Sequence, residues 1–295
     1  LALAIGDKSA FTPDDWQLLK HTGTSHLFAI SGLHLSLVAL ISMTLIYRFV
    51  LILASDIMVE WVKPIALGLS LLVCLFYGYL AGFSLPTERA LIMLATFFLL
   101  TLLKQRVGIS FKLLSCMFVV LILHPNAMLS LSFWLSFGAI SVLFILATTM
   151  TSQDQQEFRS WWVLARSYLW LIIRVQLWLF VGLLILGLLF FDGIAILSPL
   201  ANMFAVPLVS FSILPIILLS MLLELIAPSL DWSIHGFELA NWLISRLLAF
   251  LATLERLPFS WLPLSSPLYL WLTLVSWILL VMHWFPTGGF RYFHG

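Results

Sequence analysis

Thr24, Ser31, His34 and Ser42 recur along and just beyond HTGTSHLFAISGLHLSLVAL (His21–Leu40), where the chain first becomes strongly apolar. At about 100° per residue they share one helical face, with Gly32 between them and His26 off to one side. Such a face can meet protein or water but not lipid, because an unpartnered polar group in hydrocarbon costs several kcal/mol. The pair Ser31-Gly32 reads as a bend or break. Packing through small residues would use the same residues, so on the pattern alone a wet path and a helix contact stay equally open.

Three further clusters have types and spacings that could serve a polar path. AGFSLPTERALIML (Ala81–Leu94) places Ser84 ahead of Pro86, with Glu88 and Arg89 in the first turn of an apolar span. Proline suits that turn, and an acid there complements the helix dipole. Glu88 and Arg89 read either as an interfacial pair or, with Arg89 facing a cavity, as a basic contact for an anion in transit. LSLSFWLSFGAIS (Leu129–Ser141) carries Ser132 and Ser136 one turn apart, with Gly138 nearby. SPLANMFAVPLVSFSILP (Ser198–Pro215) holds Asn202, Pro207 and Pro215 inside one apolar region. Proline-interrupted helices are tolerated where the freed backbone is buried in protein or lines a cavity. Arg174 and Arg246 lie close enough to span ends to snorkel.

The elements that must position these residues follow from composition. Of 295 residues, 62% are hydrophobic and 9% charged, and the mean hydropathy is +1.11. A soluble domain carries about 25% charged residues. The expectation is an all-α, polytopic transmembrane bundle of about eight or nine helices, some broken or re-entrant, because a span needs about 20 apolar residues. Candidate spans are His26–Tyr47, Ile65–Gly82, Pro86–Leu103, Phe111–Leu123, Leu129–Met150, Ser167–Phe191, Ser198–Leu225, Glu238–Leu254 and Ser266–Phe285. Phe111–Leu123 is short, and Glu238–Leu254 carries Glu238, Asn241 and Arg246, so it reads either as a span or as an interfacial helix.

Lys and Arg collect on the cytoplasmic side of membrane proteins. Lys104–Lys112 and Thr151–Arg166 carry such residues and are expected inside, with His124–Ala127 outside. Counting back, residues 1–25 form an extracytoplasmic lead-in and residues 26–290 the membrane domain, with a sub-bundle break at 151–166. Trp16, Trp61, Trp161, Trp162, Trp261 and Trp284 sit near span ends, as an aromatic belt requires. The chain starts without Met and reads as the membrane part of something longer. A net charge of +1 gives no bulk attraction for nucleic acid, and Cys74 and Cys116, each inside an apolar run, read as small buried hydrophobes.

No G-x-x-x-x-G-K-[ST], G-x-G-x-x-G or H-E-x-x-H occurs, and His26 and His34 are eight apart, not four. Ser31 and His34 without a G-x-S-x-G make a poor serine nucleophile site. The expectation is no enzyme, no cofactor and no metal.

The block TGTSHLFAISGLHLSLVA resembles the opening of the membrane competence domain of the ComEC family, DNA-internalisation proteins of transformable bacteria. YLAGFSLPTERALIM, HPNAMLSLSFWLSFGAISVL and SPLANMFAVPLVSFSILP match in the expected order, so the resemblance covers about Ala4 to Leu257. It implies a channel importing single-stranded DNA across the bacterial cytoplasmic (inner) membrane, with membrane lipid around it. Family members usually also carry an OB-like domain and a metallo-β-lactamase-like domain and work with other competence machinery. No H-x-H-x-D-H occurs here, so a nuclease role is not carried over. A strand needs water, some positive potential and tolerant aromatic surfaces along its way. The polar path is then expected to draw on His26, Ser31, Gly32, His34, Ser84, Glu88, Arg89, Ser132, Ser136 and Asn202. A secondary transporter or lipid flippase would use broken helices in the same manner, and a purely structural subunit would need none of these polar groups.

Overall fold

The computed structural model describes residues 9, 11–28, 31–53, 59–103, 108–150, 161–190, 193–227, 231–263, 271, 275 and 278. Its helices are α1 (Pro13–His21), α2 (Gly32–Leu53), α3 (Val59–Leu80), α4 (Leu85–Leu102), α5 (Ile109–Leu123), α6 (Leu131–Met150), α7 (Trp161–Phe190), α8 (Ser198–Leu208), α9 (Leu214–Ile226) and α10 (Trp232–Glu255). Two short strands, β1 (Gly193–Ala195) and β2 (Trp261–Pro263), pair antiparallel with Ile194 opposite Leu262. The all-helical, multi-pass architecture expected from composition is the one observed.

Six helical stretches among the described residues are long and apolar enough to cross a membrane: α2, α3, α4, most of α7, the continuous Ser198–Ile226 and α10. The 15 residues of α5 make only about 22 Å of helix, less than a hydrocarbon core of about 30 Å.

Several helix starts differ from the sequence expectation: α3, α7 and α10 begin six residues earlier than Ile65, Ser167 and Glu238. The lead-in, to which the sequence reading assigned no helix, contains α1, whose Leu19 is fully buried. Conversely, the span expected from His26 begins only at Gly32, after a 3-10 turn at Ser25–Leu27. Residues 151–160, with the expected sub-bundle break, and almost all of Ser266–Phe285 lie outside the described residues.

The chain divides into two compact units that interleave in sequence. The first comprises Leu1–Thr12, His26–Ser130 and Pro207–Arg246. Its core joins Leu35, Val38 and Ala39 of α2, Leu67, Cys74 and Tyr77 of α3, Ala90, Leu91 and Phe98 of α4, and Leu214 at the start of α9. Polar groups on the α2–α3 contact satisfy one another: Ser42 Oγ lies 2.9 Å from Ser70 Oγ, and Ser70 Oγ donates to Ala39 O at 3.0 Å. Both cysteines are free and buried, as expected.

The second unit comprises Pro13–Ser25, Leu131–Val206 and Leu247–Gly295. Here α6 meets α7 through two glycines: a Cβ at Gly138 would press on Leu183 and Leu186, and one at Gly182 on Val142. The β1–β2 ribbon follows α7 on one side and α10 on the other. Its pairing returns the end of α10 to the end from which α8 leaves. Contacts inside each unit run the same way: Ser233 Oγ donates to Glu224 Oε2 in the first, and Phe204 packs edge-on against Phe250 in the second. The stretch left open as interfacial lies within the 24-residue α10, long and apolar enough to cross a membrane.

Candidate functional site

Polar side chains in the first unit concentrate at the N-terminal ends of α2 and α4. Ser31 stands immediately before α2, whose first intrahelical bond is Leu35 N–H to Ser31 O at 3.1 Å. A serine in this position ordinarily accepts a hydrogen bond from an amide of the first turn. Ser31 does not. Its Oγ is buried and has no hydrogen-bond partner among the described residues. Instead the Ser31 N–H donates to His34 Nδ1, a long bond at 3.4 Å. His34 thus fills the place that Glu or Gln takes in a capping box, reaching back to the N-cap amide from three residues on. The reciprocal half of the box is unmade. His34 is fully buried, and its Nε2 has no partner among the described residues.

Gly32, the first residue of α2, faces α4: a Cβ there would lie 3.6 Å from Cβ of Ala90. Next to Ala90 stands Arg89, only 4% exposed, with Nε donating to Leu85 O at 3.1 Å. The connection from α3 to α4 is tight because α3 ends in a Schellman motif, with Phe83 N–H on Gly78 O, Gly82 N–H on Tyr79 O and Gly82 at φ +69. Ser84 follows as the N-cap of α4, its Oγ 2.8 Å from Oγ1 of the buried Thr87. Glu88, half-exposed, meets His124 Nε2 at 3.1 Å. That contact ties the start of α4 to the turn after α5, and places a histidine from HPNA in the ion-pair position that the sequence assigned to Arg89.

Thr24 is not on the α2 face. It belongs to the second unit, where Thr22-Gly23-Thr24 terminates α1 by another Schellman motif: Thr24 N–H donates to Leu19 O and Gly23 N–H to Lys20 O. Gly23 has φ +70 and abuts Ser198 at the start of α8. Thr22 and Thr24 are buried and their hydroxyls lie 2.9 Å apart. Asn202, one turn into α8, donates from Nδ2 to Gly23 O at 3.4 Å, while its Oδ1 is buried without a partner among the described residues. His21 Nδ1 lies 2.8 Å from Glu255 Oε1, and its ring stacks on Trp261.

The remaining candidates are His26, which interacts electrostatically with His34, and two serines of α6. His26 is exposed on the 3-10 turn. Ser132 and Ser136 are half-buried on α6, and Ser136 Oγ donates to Ser132 O at 2.7 Å, an internal bond of the helix.

One residue escaped the sequence reading. Ser210, 2% exposed and with its Oγ unpartnered among the described residues, lies in a π-helical segment, Val209–Ile213, that links α8 to α9. There Leu214 N–H bonds Val209 O, five residues back. The signal was the bracketing Pro207 and Pro215, which remove two amides from the ladder; single-turn π segments occur often at functional sites. Among the described residues, no three His, Cys, Asp or Glu side chains form a metal-binding group.

A bundle of apolar helices with buried polar atoms at helix ends and at a π segment defines a multi-pass membrane protein. The competence protein family model matches residues 3–288, and the chain belongs to that family, as the four sequence blocks implied. It is 30% identical to the Escherichia coli protein YcaI over 286 residues, 96% of this chain and 36% of that protein. Recombination protein 2 of Haemophilus influenzae is also 30% identical, over 96% of this chain and 34% of its own length. Competence protein ComA of Neisseria gonorrhoeae matches 74% of this chain, again at 30% identity, and 29% of its own length. The chain spans about a third of the length of these curated relatives. No solved structure matches it.

Proposed function

We propose that this chain takes part in competence DNA uptake and forms the membrane path by which a single DNA strand crosses the bacterial cytoplasmic membrane. The observation that carries this reading is the competence-family match over residues 3–288. Buried polar groups support it: Ser31, His34 and Arg89 in one unit and Asn202 in the other sit in a chain whose surroundings are lipid. Such groups in hydrocarbon are costly and mark substrate paths. With the Lys104–Lys112 linker inside, the starts of α2 and α4 would face outward, where a strand would arrive. The OB-like and metallo-β-lactamase-like domains would belong to a longer protein around this chain.

The test is uptake of a labelled single-stranded oligonucleotide into vesicles containing the purified chain, read as label protected from added nuclease. Protection above that of protein-free vesicles supports the path, and none at high reconstitution overturns it. The π segment between Pro207 and Pro215 favours a second reading, a secondary transporter or flippase, because interrupted helices bind solutes near the midplane. Lipid scrambling without strand protection would select it. Efficient labelling from outside of a cysteine placed at Gln105 or Gln155, with Cys74 and Cys116 replaced, would reverse the orientation.

A further inference from the structure

We infer that the open N-terminus of α2 is an oxyanion subsite, built from His34 Nε2–H, the Ser31 hydroxyl and the first-turn amides of α2, and that its occupant is a backbone phosphate of the strand. The inference rests on the path proposed above and names the chemistry of one place in it. A ring nitrogen that accepts a hydrogen bond carries no proton, so the Ser31 N–H on His34 Nδ1 leaves the proton of neutral His34 on Nε2. That donor is buried and unpartnered among the described residues, as is Ser31 Oγ. The amides of Gly32, Leu33 and His34 precede the first intrahelical bond, at Leu35.

These donors all belong to the first turn of α2, at the positive end of its dipole, and helix N-termini are where phosphate is commonly received. Arg89 adds a buried cation on α4, beside the Ala90 that Gly32 faces. The residues around this end are partly open, with Leu33 47% exposed and Ser31 and Gly32 half-buried, while Ser31 Oγ and His34 Nε2 are themselves covered, so the occupant enters by a local opening of the first turn. Ser31 would ordinarily cap this helix, and the histidine that takes over half of that task frees the hydroxyl to turn to a ligand.

The experiment uses the full chain in phosphatidylcholine nanodiscs and fluorescent oligothymidine. His34→Glu keeps an acceptor for the Ser31 N–H but removes the donor and adds negative charge, whereas His34→Gln keeps both functions. Binding should weaken by about tenfold or more in His34→Glu and stay within about threefold in His34→Gln. Circular dichroism checks that helicity is kept; should His34→Glu fail to fold, His34→Met, apolar and of similar size, replaces it with the same expectation. Oligothymidine with an uncharged methylphosphonate backbone should bind worse than the phosphodiester. Equal binding of the two backbones, or of His34→Glu or His34→Met and the wild type, overturns the subsite while leaving strand uptake standing.

Nitrogen NMR of His34 Nε2 separates the sources. A shift on adding oligothymidine supports the strand phosphate. A shift with inorganic phosphate alone, or on changing to phosphatidylglycerol discs, without a response to oligothymidine, overturns the strand as occupant. If the wild type neither binds nor takes up strand yet its Nε2 responds to phosphate, the path fails and the oxyanion chemistry survives.

Discussion

Two helix ends lie within one short stretch, and they are finished in opposite ways. At the end of α1 the last-turn carbonyls are taken up: Thr24 and Gly23 amides bond Leu19 and Lys20 carbonyls, and the Thr22 hydroxyl donates to Leu18 O at 2.8 Å. At the start of α2 the side chain of the best capping residue, Ser31, has no partner among the described residues, and its amide makes a long bond to His34 Nδ1. A buried polar group without a partner costs about 1–3 kcal/mol. The closed end is thus a device for stopping a helix, and the open end keeps unmet donors inside the bundle, which makes sense where something polar is to pass. The same polar tract, read as one helical face, serves two separate purposes.

The contrast breaks most visibly at Gly23. Gly23→Val puts a β-branched residue at φ +70 and its Cβ into Ser198. The strained backbone alone costs about 1–3 kcal/mol, and the overlap adds to it. Membrane-inserted protein should fall severalfold, and the melting point of what remains should drop. Wild-type abundance and melting would mean that the α1 end is not the rigid stop described.

Next in size are changes at the open end that spare the fold. Ser31→Leu or His34→Leu should block strand uptake per inserted molecule while leaving abundance intact, because an apolar plug closes a wet path yet raises the hydrophobicity of the span. If packing alone were at stake, uptake would follow abundance. Arg89→Gln should have a smaller effect, weakening uptake more at high salt than at low, since steering by the remaining charges is screened there. Normal uptake by His34→Leu and Arg89→Gln together, at wild-type abundance, would remove the open end from the path.

The spans were legible because length and hydropathy alone set them; α4 and the Ser198–Ile226 helix lie within a residue of the expected bounds, and α2 and α3 overlap theirs with ends up to six residues away. The grouping of Thr24 with Ser31 and His34 was not legible as an error. A 3.6-residue period continues through any sequence on paper, and only the Gly23 reversal shows where it stops. Glycine after a basic last turn, Lys20-His21, is a helix-stop signal, but no helix was assigned to the lead-in for it to stop. The Glu88–His124 pair joins residues 36 apart, and no local pattern carries such a contact. Ser210 was hidden differently: prolines announced an interruption, but whether a helix kinks or inserts one residue depends on packing that a single sequence does not contain.

The smallest effect belongs to Gly32, and it sharpens the comparison because the residue type is the same as at Gly23. Gly32 opens α2 in helical conformation, and a Cβ there would rest 3.6 Å from Cβ of Ala90, an ordinary contact. Alanine in a helix is favoured over glycine by about 0.5–1 kcal/mol, less at a first position than in the interior. Gly32→Ala should therefore leave abundance unchanged and move the melting point by a few degrees at most, upward, whereas Gly32→Leu should press on Ala90 and lower abundance. Uptake by Gly32→Ala should stay near wild type, since alanine keeps the backbone amide. A loss of uptake at unchanged stability would mean that the bare backbone itself must be approached closely at this helix end, which Gly23, walled in by Ser198, does not allow at the other.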